Sequence, residues 1–133
     1  MRKLLVNSNY VIDYLRGKSY TKKIMSRFKN REAEGYISVI TLFELFSGAM
    51  LSSKLKESLE DIRMLREWFE VIPIDEHIAY IASKKFAELK RNGKPIDIRD
   101  LLISSCAISR NMELLTQNKK HFENIAELKL AAE

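Results

Sequence analysis

Residues 3–9, KLLVNSN, constrain the fold more than any other stretch of the chain. Leu4, Leu5 and Val6 form an apolar run that stops at three small polar residues, Asn7, Ser8 and Asn9, after which apolar positions return at helical spacing. The pattern reads as strand, tight turn, helix. A continuous apolar run, unlike an alternating one, suits a strand covered on both faces, the condition of strands in parallel α/β sheets. Open parallel sheets hold their ligands beyond the carboxyl ends of the strands, so the turn at Asn7 is the first place to look for chemistry.

The rest of the chain repeats that alternation. Tyr10, Val11, Tyr14 and Leu15 give a short helix face with Gly17 as its stop. Residues 20–31 read as a basic, solvated helix burying one edge through Ile24, Met25 and Phe28. A β-branched run at 36–40 predicts a second strand, and residues 40–51 predict a helix apolar almost all round except for Glu44. Between 53 and 69, Leu55, Leu59, Ile62, Leu65 and Phe69 mark an amphipathic helix that leaves Trp68 for a partner. VIPI at 71–74 reads as a third strand, followed by Asp75 as the cap of a helix whose inner face carries Ile78, Ile81, Ala82, Phe86 and Leu89. Asn92-Gly93 ends that helix, and His77 near its start is a surface residue. IDIRDLLISSCAIS, from 96, is a second helix apolar nearly all round. Asp97 and Asp100 stand at its entry, where the helix dipole favours carboxylates, and only one of them can be the cap. Residues 113–116 predict a fourth strand ending at the polar cluster 117–121, and 128–130 a fifth, edge strand, with the last three residues frayed. The expected architecture is α/β: a three-layer α/β/α fold on a four- to five-stranded parallel sheet, in one domain spanning residues 1–133.

Composition narrows the function classes. No apolar run approaches the ~20 residues of a membrane helix, and no signal peptide is visible. With a single cysteine, Cys106, in an apolar run, no internal disulfide can form, and a cytoplasmic location is expected. The net charge of +5 is compatible with a polyanionic partner without requiring one. Gly17, Gly35, Gly48 and Gly93 are isolated, so no phosphate-cradling loop exists, and one cysteine with two separated histidines makes no zinc site. Oxygen chemistry remains. Glu44, between Phe43 and Leu45, needs a cation, a metal or an opening to solvent, and a narrow exposed stripe or a lysine partner serves it as well as a metal does. Asn7, Glu44, Asp100 and Asn118 all fall at strand ends or in anomalous helices, and converging oxygen ligands of that kind suit Mg²⁺ or Mn²⁺. Spacing alone does not select them among eighteen acidic residues.

The motifs do more. LLVNSNYVIDYLRG, ISVITLFELFSGA, GKPIDIRDLLISSCAI and LLTQNKKHF resemble, in order, the four motifs of the PIN-domain family, and specifically of the VapC-type toxins of toxin–antitoxin pairs. The match runs from about residue 3 to 130. The resemblance implies a Mg²⁺-dependent endoribonuclease, with Mn²⁺ able to substitute, acting on RNA. It also implies a homodimer held inactive by a cognate VapB-like antitoxin. Carried over residue by residue, Asn7, Glu44 and Asp100 occupy metal-binding positions, Asn9 orders the site, Ser8 adds a hydroxyl, and Asn118 is a supporting member. Where the family has its first metal-binding Asp this chain has Asn7, whose neutral oxygen binds metal less strongly and cannot act as a base, so activity is expected to be nearly lost while the fold survives. The other motif residues are intact, which suits a deliberate inactivation; a naturally silenced paralogue is the alternative.

Two other classes compete. A non-catalytic PIN-like module would bind an antitoxin or RNA without cutting, and a receiver-type phospho-acceptor domain shares the small α/β shape but lacks an acceptor Asp at position 7. Lys119 and Lys120, directly after Asn118, are the preferred RNA contacts, with ordinary solvated lysines as the competing reading.

Overall fold

Leu4 and Val6 enter one hydrophobic cluster and Leu5 the other, and the layering follows from that alternation in a computed structural model describing residues 1–133. Five strands form one parallel sheet: β1 (Lys3–Val6), β2 (Glu34–Ser38), β3 (Phe69–Ile72), β4 (Glu113–Leu115) and β5 (Lys129–Leu130), in the order β3-β2-β1-β4-β5. β1 is central, with Leu5 in register with Tyr36 on one side and Leu114 on the other. Helices α1 (Ser8–Leu15), α2 (Lys22–Lys29), α3 (Val39–Leu51) and α4 (Leu55–Trp68) supply Val11, Phe28, Leu45 and Leu65 to the cluster on one face. Helices α5 (Glu76–Arg91) and α6 (Ile98–Arg110) cover the other face with Ile78, Leu89, Leu101 and Cys106, joined by Phe122 of the short α7 (Lys119–Phe122). This is the α/β/α architecture the alternation implies, with five strands.

Several elements are displaced from their expected places, each for a local reason. β2 stops at Ser38 because the Ser38 hydroxyl accepts the Ile40 N–H at 3.0 Å, which turns Val39 and Ile40 into the first turn of α3. β3 occupies 69–72 instead of 71–74, since Pro73 has no N–H with which to continue a ladder and Phe69 pairs in register with Gly35. Gly35 is the seat of two rings: a Cβ there would lie 2.5 Å from the Phe69 ring and 2.9 Å from Phe28. The basic helix is shorter than expected, because Ser19–Thr21 form a separate 3-10 turn in which the Thr21 hydroxyl donates to the Lys18 carbonyl at 2.7 Å.

Trp68 packs within its own chain, edge-on to Tyr14 at 5.9 Å between centroids, with the Lys29 ammonium 5.9 Å above its ring. On α5 the expected inner residue Phe86 is 49% exposed, and Lys85 is buried in its stead. Its ammonium lies 2.5 Å from Glu127 and 3.5 Å from Glu88. Burial pulls the Lys85 pKa down, but the two carboxylates outweigh it and leave the group above its ordinary value. The end of the chain is docked, not frayed: the Ala131 N–H donates to the Leu114 carbonyl at 2.9 Å, and Glu133 pairs with Arg2 and, at 3.7 Å, with Arg27.

Candidate functional site

Asn7 continues β1 by one residue. Its N–H donates to the Leu115 carbonyl at 2.9 Å, and its own carbonyl accepts the Tyr10 and Val11 N–H groups that open α1. Since the backbone does the capping, the side chain is free for other work. The amide nitrogen donates to the Thr116 hydroxyl at 3.1 Å, and the same hydroxyl accepts the Asn118 N–H at 3.1 Å. Asn7 is 2% exposed, and its Oδ1 is the only buried side-chain nitrogen or oxygen in the chain without a hydrogen-bond partner. A buried acceptor left in that state is costly unless something binds it.

Around Asn7 the ends of α1, α3 and α6 converge. Ser8, at the start of α1, lies 2.8 Å from the Glu44 carboxylate and 2.8 Å from the Thr41 hydroxyl, both on α3. Asp97 caps α6 by accepting the Arg99 N–H at 2.8 Å. The Arg99 guanidinium folds back onto Asp97 at 3.2 and 3.4 Å and reaches to 3.8 Å from the second Glu44 oxygen. Asp100, one residue on, is half-buried. Burial pushes its carboxyl above the ordinary range, and the Asp97 and Glu44 charges add to the rise against His121 and Arg99. Asp97 moves the other way, held down by the Arg99 side chain first and by backbone N–H groups second.

These residues enclose a pocket of about 260 Å³ lined by Asn7, Ser8, Asn9, Glu44, Asp97, Arg99, Asp100 and His121, with no hydrophobic residue among them. The structure thus brings together five residues singled out from the sequence: Asn7, Ser8, Asn9, Glu44 and Asp100. Asn118, Lys119 and Lys120 line an adjoining cleft with Gln117, His121 and Glu133, and His121 belongs to both. Asp97, Arg99 and His121 are members that sequence reasoning missed. Asp97 had a signal, as an acid three residues before Asp100 at a helix entry; Arg99 and His121 had none beyond proximity to the motifs.

The donor set is all oxygen, which fits a hard divalent ion: the orphaned Asn7 Oδ1, the Glu44 and Asp100 carboxylates, and Asp97 at the rim. No trio of His, Cys, Asp or Glu is arranged to hold a metal by itself. Mg²⁺ does not require one, because it keeps several waters and commonly takes only one or two carboxylates from protein.

A five-stranded parallel sheet with a pocket of carboxylates and amides at the carboxyl end of its central strand defines a PIN-type α/β domain. The PIN domain family model matches residues 4–128. Ribonuclease VapC1 of Methanocaldococcus jannaschii is 36% identical over 132 residues, covering 96% of this chain and 85% of that protein. The tRNA(fMet)-specific endonuclease VapC of Salmonella typhimurium is 30% identical, covering 98% of this chain and 97% of that protein. Among solved structures, DNA-bound VapBC from Salmonella typhimurium superposes with a TM-score of 0.87 at 30% identity, covering 98% of both chains. The chain belongs to the PIN domain family, and within it to the VapC ribonucleases of the VapBC kind.

Proposed function

We propose that residues 1–133 form one PIN-like domain that works as a divalent-metal-dependent endoribonuclease toxin, with Mg²⁺ as its ordinary ion and Mn²⁺ as a substitute. We also propose that it is strongly impaired in its present form by Asn7. The observation that carries this reading is the grouping of Glu44, Asp100 and the unpartnered Asn7 Oδ1 in one polar pocket of a chain from a ribonuclease family. Asn7, Glu44 and Asp100 hold the metal, Ser8 and Asn9 order the site, and Asn118 supports it through Thr116. When bound, the ion supplies an acidified water and positive charge for the phosphodiester under attack. Glu44 is fixed in place by Ser8 and Thr41, and Asp100 is fixed by the first turn of α6. Asn7 offers a neutral oxygen where an aspartate would offer charge, so it attracts the ion less and takes no proton. Lys119 and Lys120 guide the RNA along the adjoining cleft.

On the same reading the protein is a cytoplasmic homodimer silenced by a VapB-like antitoxin. Support for the antitoxin comes from solved relatives that are VapBC structures, those of Salmonella typhimurium and Haemophilus influenzae among them. The chain has no helix long and apolar enough to cross a membrane.

The test is metal-dependent cleavage of a mixed RNA pool, tRNA included, by the chain and by Asn7→Asp in parallel. Cleavage gained in the Asp form and abolished by chelator supports both the activity and the impairment. Inactivity of both forms favours a second reading, a non-catalytic module that binds antitoxin or RNA; in its favour, the Asn7 amide nitrogen already donates to Thr116. Equal activity in both forms places the metal elsewhere.

A further inference from the structure

We infer that Arg99 is a built-in counter-ion of the pocket, which a divalent ion displaces from Glu44 and which, still held by Asp97, then grips a phosphate of the RNA. The inference rests on the proposed metal site and deepens it.

Three observations lead there. Arg99 is the only Lys or Arg lining the pocket, and its guanidinium bridges two carboxylates on different elements, Asp97 at the start of α6 and Glu44 on α3. In doing so it neutralises part of the charge that a metal ion needs. Its hold is weak: the side chain is 55% exposed, and the approach to Glu44 is 3.8 Å, an ion pair without a short hydrogen bond. Finally, Asn7 lines the same pocket, and its buried Oδ1 has no hydrogen-bond partner, the guanidinium included. Arg99 therefore stands in for a metal at Asp97 and Glu44, while Asn7 Oδ1 has no partner among the protein's own groups.

The consequence is an exchange. A divalent ion near Glu44 and Asp100 repels the guanidinium and takes its partner away. The freed fork remains tethered at the pocket mouth through Asp97, and its planar pair of N–H donors matches two phosphate oxygens. Arg99 is then a positioning residue whose engagement with RNA depends on the metal. Metal and RNA binding become positively coupled through one side chain.

Calorimetric titration of Mn²⁺ into the chain and into Arg99→Ala, Arg99→Gln and Arg99→Lys tests the first half, with each variant repeated in the Asn7→Asp background. Ala and Gln should bind Mn²⁺ roughly three- to tenfold more tightly, as expected for removal of one partly screened charge beside the ion. Lys, which keeps the charge, should stay near the parent. The second half is read from a fluorescent RNA oligonucleotide, bound but barely cut by the Asn7 chain. Arg99→Ala should weaken RNA binding about tenfold in saturating Mn²⁺ and less than about twofold in chelator. Unchanged or weaker Mn²⁺ binding by Ala and Gln, while the parent binds the ion, overturns the role of Arg99 and leaves the metal site standing. RNA affinity lost equally with and without metal overturns the exchange. Failure of every variant to bind Mn²⁺, Asn7→Asp included, removes the metal site and the inference together.

Discussion

Ser8 donates a 2.8 Å hydrogen bond to Glu44, and that fixes the direction of the bond between Ser8 and Thr41. An ionised carboxylate only accepts, so the single Ser8 proton goes to Glu44, and Thr41, also 2.8 Å from Ser8, must donate to it. The row runs Thr41 to Ser8 to Glu44. In the Asn7→Asp background, Ser8→Ala is expected to lower cleavage about tenfold by letting Glu44 drift. Thr41→Val leaves the Ser8–Glu44 bond intact and should do less. Full activity in Ser8→Ala would show that Glu44 needs no such tether.

Lys119 and Lys120 should act on RNA affinity and not on the pocket, from which they are set apart. Replacing both with Ala is expected to flatten the dependence of log K on log salt by about 1.4, two single-strand phosphate contacts' worth. An unchanged slope removes them from the RNA path.

Gly35 tolerates no side chain. Gly35→Ala sets a methyl against the Phe69 and Phe28 rings, which are already 5.1 Å apart between centroids, so overpacking should cost about 1–3 kcal/mol. Denaturant titration measures it, and a cost near zero would mean that Phe69 swings clear.

The buried Lys85 separates charge from packing. Glu127→Ala leaves its buried ammonium with Glu88 alone and should lower stability in denaturant titration. Lys85→Met replaces the buried ion with an apolar chain and strands no buried carboxylate, so it should fall within about 1.5 kcal/mol of the parent. Equal losses in the two variants would contradict that difference.

Tyr20 donates to Asp13, which lowers the Asp13 pKa below its ordinary value, with Lys18 contributing less. A depressed carboxyl pKa adds stability above its unfolded value and loses it as pH falls through the folded one. Tyr20→Phe should therefore lower Tm by a constant amount from pH 5 to 8, measured by thermal melts, and that gap should narrow below about pH 4. A gap that does not narrow in acid assigns the Tyr20 effect to packing on Tyr10, 5.3 Å away edge-on.

What could be read from residues alone was what adjacent positions decide. The apolar run before Asn7 placed the central strand, and the first three motifs carried Asn7, Ser8, Asn9, Glu44 and Asp100, which share one pocket, while Asn118 of the fourth lies in the adjoining cleft. Strand ends were harder, since Ser38 and Pro73 act through one hydrogen bond made or denied. The burial of Lys85 was not legible, because its partner Glu127 is far away in sequence. Phe86, one position along the same helix, consequently read as core. Arg99 had two local acids beside it and nothing to say that Glu44, fifty-five residues earlier, would be within reach. The docked Ala131 and Glu133 were likewise invisible, resting on Leu114 and Arg2.

The placement of β1 between β2 and β4 also sets when the pocket can come into being. During synthesis Asn7 is made almost first, yet the carbonyl that anchors it belongs to Leu115 and the hydroxyl that holds its amide to Thr116. Pairings across so much chain form late and only together with the surrounding core. A growing chain on the ribosome thus carries Asn7, Glu44 and even Asp100 with no assembled site between them. A central strand closed by Leu115 and Thr116 thus ties assembly of the pocket to near-completion of the chain.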